Sequence, residues 1–110
     1  MIYLASAYTA PTAEGRKANY QKALRFVAKL LARGEFVWSP IVHCHEPALL
    51  ETMPTDFKFW LNYNHDFIRR ADAVYVACFE GWEQSKGVAE EIVFASTIGI
   101  PVHYIHESDL

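Results

Sequence analysis

Cysteine is scarce in this chain: Cys44 and Cys78 are the only two in 110 residues. One falls in a polar stretch and the other in a strand-like run, so no disulfide framework is expected and a reducing, cytoplasmic setting is. Basic runs are absent and the net charge is -3, so a nucleic acid polymer is not an expected partner. No apolar stretch is long enough to span a bilayer, and the first residues read as a strand with no charged leader. Neither membrane insertion nor secretion is therefore expected. Gly-x-Gly-x-x-Gly and the Walker pattern are missing, which leaves dinucleotide binding and phosphoryl transfer as weak options. Ser6 and Ser39 lack the glycine-flanked elbow of a serine hydrolase. No motif asks for a cofactor. Repeats, linkers and low-complexity tracts are lacking too, so residues 1–110 read as one domain.

What is present alternates between strand and helix. Ile2-Tyr3-Leu4-Ala5-Ser6 reads as a buried strand. Tyr20, Ala23, Leu24, Val27, Leu30 and Leu31 recur at helical spacing before Gly34. Phe36-Val37-Trp38 is a short strand closed by Ser39-Pro40, and an irregular, functional or partly helical stretch follows from Ile41 to Met53. Pro54-Thr55-Asp56 reads as a helix entry, with Phe57, Trp60, Leu61, Asn64, Ile68 and Ala71 on the inner face. Strands at 73–79 and 100–105 flank a helix that starts near Ser85. This order predicts an α/β, flavodoxin-like three-layer sandwich: a mostly parallel sheet of four to five strands with helices on both faces. Its ligand crevice should lie at the carboxyl ends of the strands, near Ala5 to Tyr8, Ser39 to His45 and Phe79 to Ser85.

The segment Gly81-Trp82-Glu83-Gln84-Ser85-Lys86-Gly87-Val88-Ala89-Glu90-Glu91-Ile92 carries the strongest signal for chemistry. Val88, Glu91, Ile92 and Ala95 share one helical face, so Glu91 directs a carboxylate into an apolar stripe. Burying that charge is costly unless it is paired or used. The ordinary alternative is an N-capped helix whose glutamate pairs with an arginine. Ser85 is a natural N-cap, the amides behind it form an anion site, and Gly81 and Gly87 let a ligand approach the backbone. The helix N-terminus is expected to favour the ionised form of Glu91.

Asn64 interrupts an apolar face and must serve as a bridge or a ligand contact. Tyr3 shares its strand face with Ala5, and packing with one hydroxyl bond is its ordinary role. In His43-Cys44-His45-Glu46 the two imidazoles would need one or two further ligands to hold zinc, so no metal site is expected. His43 is the better candidate for hydrogen bonding or acid–base work.

Together Ile2-Tyr3-Leu4-Ala5-Ser6 through Tyr8, Ser39-Pro40-Ile41-Val42-His43-Cys44-His45, Met53-Pro54-Thr55-Asp56 with Phe59-Trp60, and Gly81-Trp82 with Ser85-x-Gly87 through Glu91 span most of the chain. In these segments the chain resembles the nucleoside 2-deoxyribosyltransferase-like superfamily, and within it a group of small bacterial and phage proteins. The resemblance implies cleavage or transfer at the N-glycosidic bond of a deoxynucleoside or its 5′-monophosphate, with Glu91 as the nucleophile and Tyr3 orienting it. A serine at the Ser85 position implies a phosphate contact, and Arg16 is a candidate for a second one. Ser6, Tyr8, Gly87, His43 and Trp82 complete the implied substrate contacts, with Trp38, Trp82 or Tyr8 available to stack on the base. Those enzymes carry an aspartate where this chain has Asn64, eight positions ahead of Asp72. An amide holds a sugar or base but does not donate a proton as a carboxylic acid does, which leaves His43 or Asp56 for that role. The resemblance also implies a homo-oligomer. A nucleotide-binding sensor or sequestering module on the same scaffold is the alternative.

Overall fold

The computed structural model describes residues 1–54 and 57–110. Of the helix entry expected at Pro54-Thr55-Asp56, Thr55 and Asp56 fall outside the described residues, and with them Asp56 as a proton donor. The elements run β1 (Ile2–Ala5), α1 (Ala13–Ala32), β2 (Val37–Trp38), α2 (Pro40–Leu50), α3 (Phe57–Arg69), β3 (Ala73–Ala77), α4 (Lys86–Thr97) and β4 (Val102–Ile105). Short 3-10 turns lie at Trp82–Gln84 and Glu107–Asp109.

The four strands pair in the order β2-β1-β3-β4, and every pairing is parallel. Parallel neighbours need crossover connections, and the helices supply them. Side-chain alternation along the strands then splits the interior in two. Tyr3, Ala5, Val74 and Val76 pack with Ile68 and Ala71 at the α3 end and with Val88 and Ala95 of α4. Leu4 and Ala77 pack against Phe26, Val27 and Leu30 of α1. The result is a flavodoxin-like three-layer sandwich whose central strand β1 is buried on both faces.

Local chemistry explains the helix starts. Thr12 Oγ1 accepts the Gly15 amide at 3.0 Å ahead of α1. Ser39 Oγ accepts the Val42 amide at 3.1 Å, and Pro40 takes the first position of α2, where its missing N–H costs nothing. Gly34, in the left-handed region at φ 82°, follows the end of α1.

Several boundaries differ from the expectation. The stretch after Ser39, expected to be functional or partly helical, is a regular helix as far as Leu50, even though Pro47 lies inside it. Pro47 removes only its own N–H from the ladder, and the rest of the helix forms around it. The buried stripe of α1 is Ala23, Phe26, Val27 and Leu30, while Leu24 and Leu31 are exposed. A helical period is equally compatible with either flank, and only the packing against β1 and β3 selects Phe26. Phe36 lies outside β2 and β3 ends at Ala77, so both strands are shorter than expected.

Candidate functional site

Because all four strands run the same way, the connections leaving β1, β2 and β3 open on one edge of the sheet. A cleft of about 1390 Å³ lies there. Ser6 and Tyr8 line it from the β1–α1 loop, Asn19 from α1, His45 from α2, and Asn64 from α3. Ser85, Gly87 and Glu91 line it from the start of α4.

Glu91 is 6% exposed, and on its helix it stands between Val88 and Ala95, both buried. The hydroxyl of Tyr3, itself 0% exposed, donates to Glu91 Oε2. Burial pushes the Glu91 carboxyl up to about 7, and the Tyr3 bond pulls only weakly the other way. Burial, and then the neighbouring carboxylate, hold the Tyr3 hydroxyl well above its usual range, so it remains a donor. The expectation that the helix N-terminus keeps Glu91 ionised is therefore corrected: desolvation dominates. Near neutral pH both protonation states are populated.

Three buried polar atoms are unsatisfied. Among the described residues, Ser6 Oγ, Asn64 Oδ1 and His65 Nε2 are buried without a hydrogen-bond partner. Ser6 and Asn64 both line the cleft. Leaving a buried donor or acceptor unpaired costs about 1–3 kcal/mol, which a polar ligand in the cleft would recover.

Ser85 caps α4, its Oγ accepting the Val88 amide at 3.2 Å, which leaves the hydroxyl proton available to a ligand. A Cβ on Gly87 would meet only Ser85 Oγ at 3.9 Å, so the space over this backbone is open. Helix starts of this kind receive anions. Gly81, ahead of them, has φ 98° and is the residue type that conformation favours.

Residues 1–107 match the family model described as a domain of unknown function, DUF1937. The chain belongs to the DUF1937 family. No curated protein matches it.

Of the site residues expected for this DUF1937 chain, Glu91, Asn64, Ser85, Gly87, Ser6 and Tyr8 converge on the cleft. Tyr3 reaches it only through Glu91. Three others do not line it. Arg16 turns its guanidinium to the Ala10 carbonyl at 3.2 Å. Trp82 packs towards Tyr104, with ring centroids 5.5 Å apart. His43 is exposed on α2 and borders a separate, smaller hollow with Phe59, Trp60 and Tyr63. Trp38, a candidate for base stacking, instead lies flat on Phe67 at 3.7 Å.

Sequence reasoning passed over His45. It is 6% exposed, bonds Tyr8 through Nδ1 at 2.8 Å and stacks on Tyr20 at 4.1 Å. The Asn19 side chain in turn holds the Tyr8 carbonyl at 3.0 Å. A helical period over 40–50 would have revealed it, because Ile41, His45 and Ala48 fall at i, i+4, i+7 and all line the cleft. Among the described residues no three His, Cys, Asp or Glu side chains gather as metal ligands, and no helix is long and apolar enough to cross a membrane.

Proposed function

We propose that the cleft binds a deoxynucleoside or its 5′-monophosphate and that the protein cleaves or transfers at the N-glycosidic bond, with Glu91 as the nucleophile. One observation carries this reading: a buried carboxyl, hydrogen-bonded by a fully buried tyrosine, lines a large open cleft. Such a group is costly to fold around and is built into a pocket for use. The resemblance to the nucleoside 2-deoxyribosyltransferase-like superfamily supports the same residue and the same role.

In this mechanism the Glu91 carboxylate attacks the anomeric carbon through an oxocarbenium-like state, and the C–N bond pair leaves with the base. A glycosyl ester forms, and water or a second base resolves it, as in retaining glycosidases. Tyr3 occupies one carboxylate oxygen and leaves the other to attack. Ser6 and Asn64 hold sugar hydroxyls, while Ser85 and the α4 N-terminus take the phosphate. The exposed Leu49 and Leu50 beside the cleft, 69% and 83% accessible, fit a homo-oligomer in which a second copy covers them. The free thiols of Cys44 and Cys78 fit a cytoplasmic setting.

A non-catalytic nucleotide-binding module is the second reading, and Asn64 favours it, because an amide lines the cleft where the enzymes it resembles carry an acid. Incubation with each deoxynucleoside and deoxynucleoside monophosphate, followed by chromatography for free base, separates the two. Base release that disappears in Glu91→Ala supports the enzyme. Tight binding of intact nucleotide without turnover supports the module, and binding of neither rejects both.

A further inference from the structure

If a C–N bond breaks in this cleft, the departing base must be protonated as it takes the bond electrons, and at the Asn64 position an amide lines the cleft where an acid would serve. Asn64 is an amide, and Ser6 and Ser85 are hydroxyls far too weakly acidic for this step. Another part of the cleft is built differently. Tyr8, His45 and Tyr20 come from the β1–α1 loop, α2 and α1, and they form one assembly. His45 lies flat on Tyr20, with 16° between the ring planes and 4.1 Å between centroids. The edge of Tyr8 meets the same ring, and the Tyr8 hydroxyl sits 2.8 Å from Nδ1. Asn19 fixes the Tyr8 backbone. One hydrogen bond and two ring contacts therefore hold the imidazole, Nε2 makes no hydrogen bond among the described residues, and His45 lines the cleft. A fixed imidazole with one nitrogen tied and the other left open is the arrangement that general acids and bases require.

We infer that His45 is the catalytic acid–base residue for the leaving base and that Tyr8 positions it, an inference that rests on the N-glycosidic reading above. In the imidazolium, Nδ1–H donates to the Tyr8 oxygen and Nε2–H points to the base. As Glu91 bonds the anomeric carbon and the C–N pair moves onto the base, the Nε2 proton transfers to a base nitrogen and the imidazole becomes neutral. In the second step water attacks the anomeric carbon, gives its proton to Nε2, and the ester C–O pair returns to Glu91. Base, sugar, carboxylate and imidazolium are all accounted for.

The test compares two substrates, 2′-deoxyguanosine 5′-monophosphate and its N7-methylated form, whose base already carries the positive charge and leaves without a proton. Wild-type protein, His45→Gln and Tyr8→Phe are assayed on both. The expected result is a loss of about 10²–10⁴-fold in kcat for His45→Gln on the ordinary nucleotide, with the methylated one cleaved nearly as fast as by wild type. Tyr8→Phe should lose less, with the same substrate dependence, and it supplies the reading if His45→Gln does not fold. Equal losses on both substrates in Tyr8→Phe and His45→Gln, or no loss on either, would overturn the assignment while leaving Glu91 chemistry standing. Failure of wild-type protein to release base from either nucleotide would remove the reaction itself, and the acid with it.

Discussion

On the α1 face of the sheet Leu4, Phe26, Val27, Leu30 and Ala77 form an apolar cluster, whereas the α3–α4 face brings the Tyr3 hydroxyl into the same layer as Val74, Val76 and Val88, against the Glu91 carboxyl. The first recovers the full hydrophobic gain of its burial, and the second gives part of it up to desolvate a carboxyl. Glu91, in that second layer, also lines the cleft. β1 therefore turns an apolar side chain, Leu4, towards α1 and a polar one, Tyr3, towards α4.

That division can be broken from either side. The largest effect is expected from Glu91→Gln, which keeps the shape and a hydrogen-bond partner for Tyr3 but removes the proposed nucleophile. Base release should fall on the order of 10⁴-fold or more while nucleotide binding, read by calorimetry, persists. Phe26→Ala, in the apolar layer, should do the reverse. Urea denaturation should show a loss of about 3–5 kcal/mol, and the protein that remains folded should keep its ligand affinity.

The third prediction concerns pH. The folded state holds the Glu91 proton more tightly than the unfolded chain does, because burial raises the carboxyl from 4.5 to about 7. The stabilisation from this group is complete below about 4.5 and is lost as pH rises through about 7, a change of about 3 kcal/mol at most. Glu91→Gln should therefore match wild type near pH 4.5 and exceed it by up to that amount at pH 8, in paired denaturation curves. Any base release that needs the ionised carboxylate should rise over the same range.

The smallest effect compares two serine caps. Ser39→Ala and Ser85→Ala each remove one bond to a helix amide, at 3.1 and 3.2 Å, and each should cost about 1 kcal/mol. Only Ser85 lines the cleft, so only its loss should weaken 5′-monophosphate binding relative to the nucleoside and reduce the salt sensitivity of that binding. Equal effects of the two on phosphate affinity would break the comparison.

The residues that were legible in sequence share a property: local rules settle them. Ser85 is a cap by residue type and position, and Glu91 stands out because its helical neighbours Val88 and Ala95 are apolar. The faces of β1 follow from simple alternation. What was not legible depended on partners remote in sequence. Pro40 and Pro47 made α2 look like a loop, although one proline sits harmlessly at the first turn and the other removes a single donor. With the phase of α2 unknown, His43 was preferred to His45. The helix then turns His45 inward to Tyr8 and Tyr20 and leaves His43 exposed. Arg16 and Trp82 were plausible by proximity in sequence, but their side chains satisfy themselves at Ala10 and Tyr104.

The chain by itself determined the alternation of strand and helix, the cap at Ser85, and the single carboxylate in an apolar stripe, since each follows from period, propensity and the cost of buried charge. Tertiary structure alone decided that Tyr3 meets Glu91 across 88 positions, that Ser6 Oγ and Asn64 Oδ1 are buried without a partner among the described residues, and that His45 is the histidine the cleft receives. The reason is geometric. Local rules fix which face a side chain occupies, but the environment on that face is supplied by residues far away along the chain, and it is that environment which sets a proton affinity or leaves a polar atom open to a ligand.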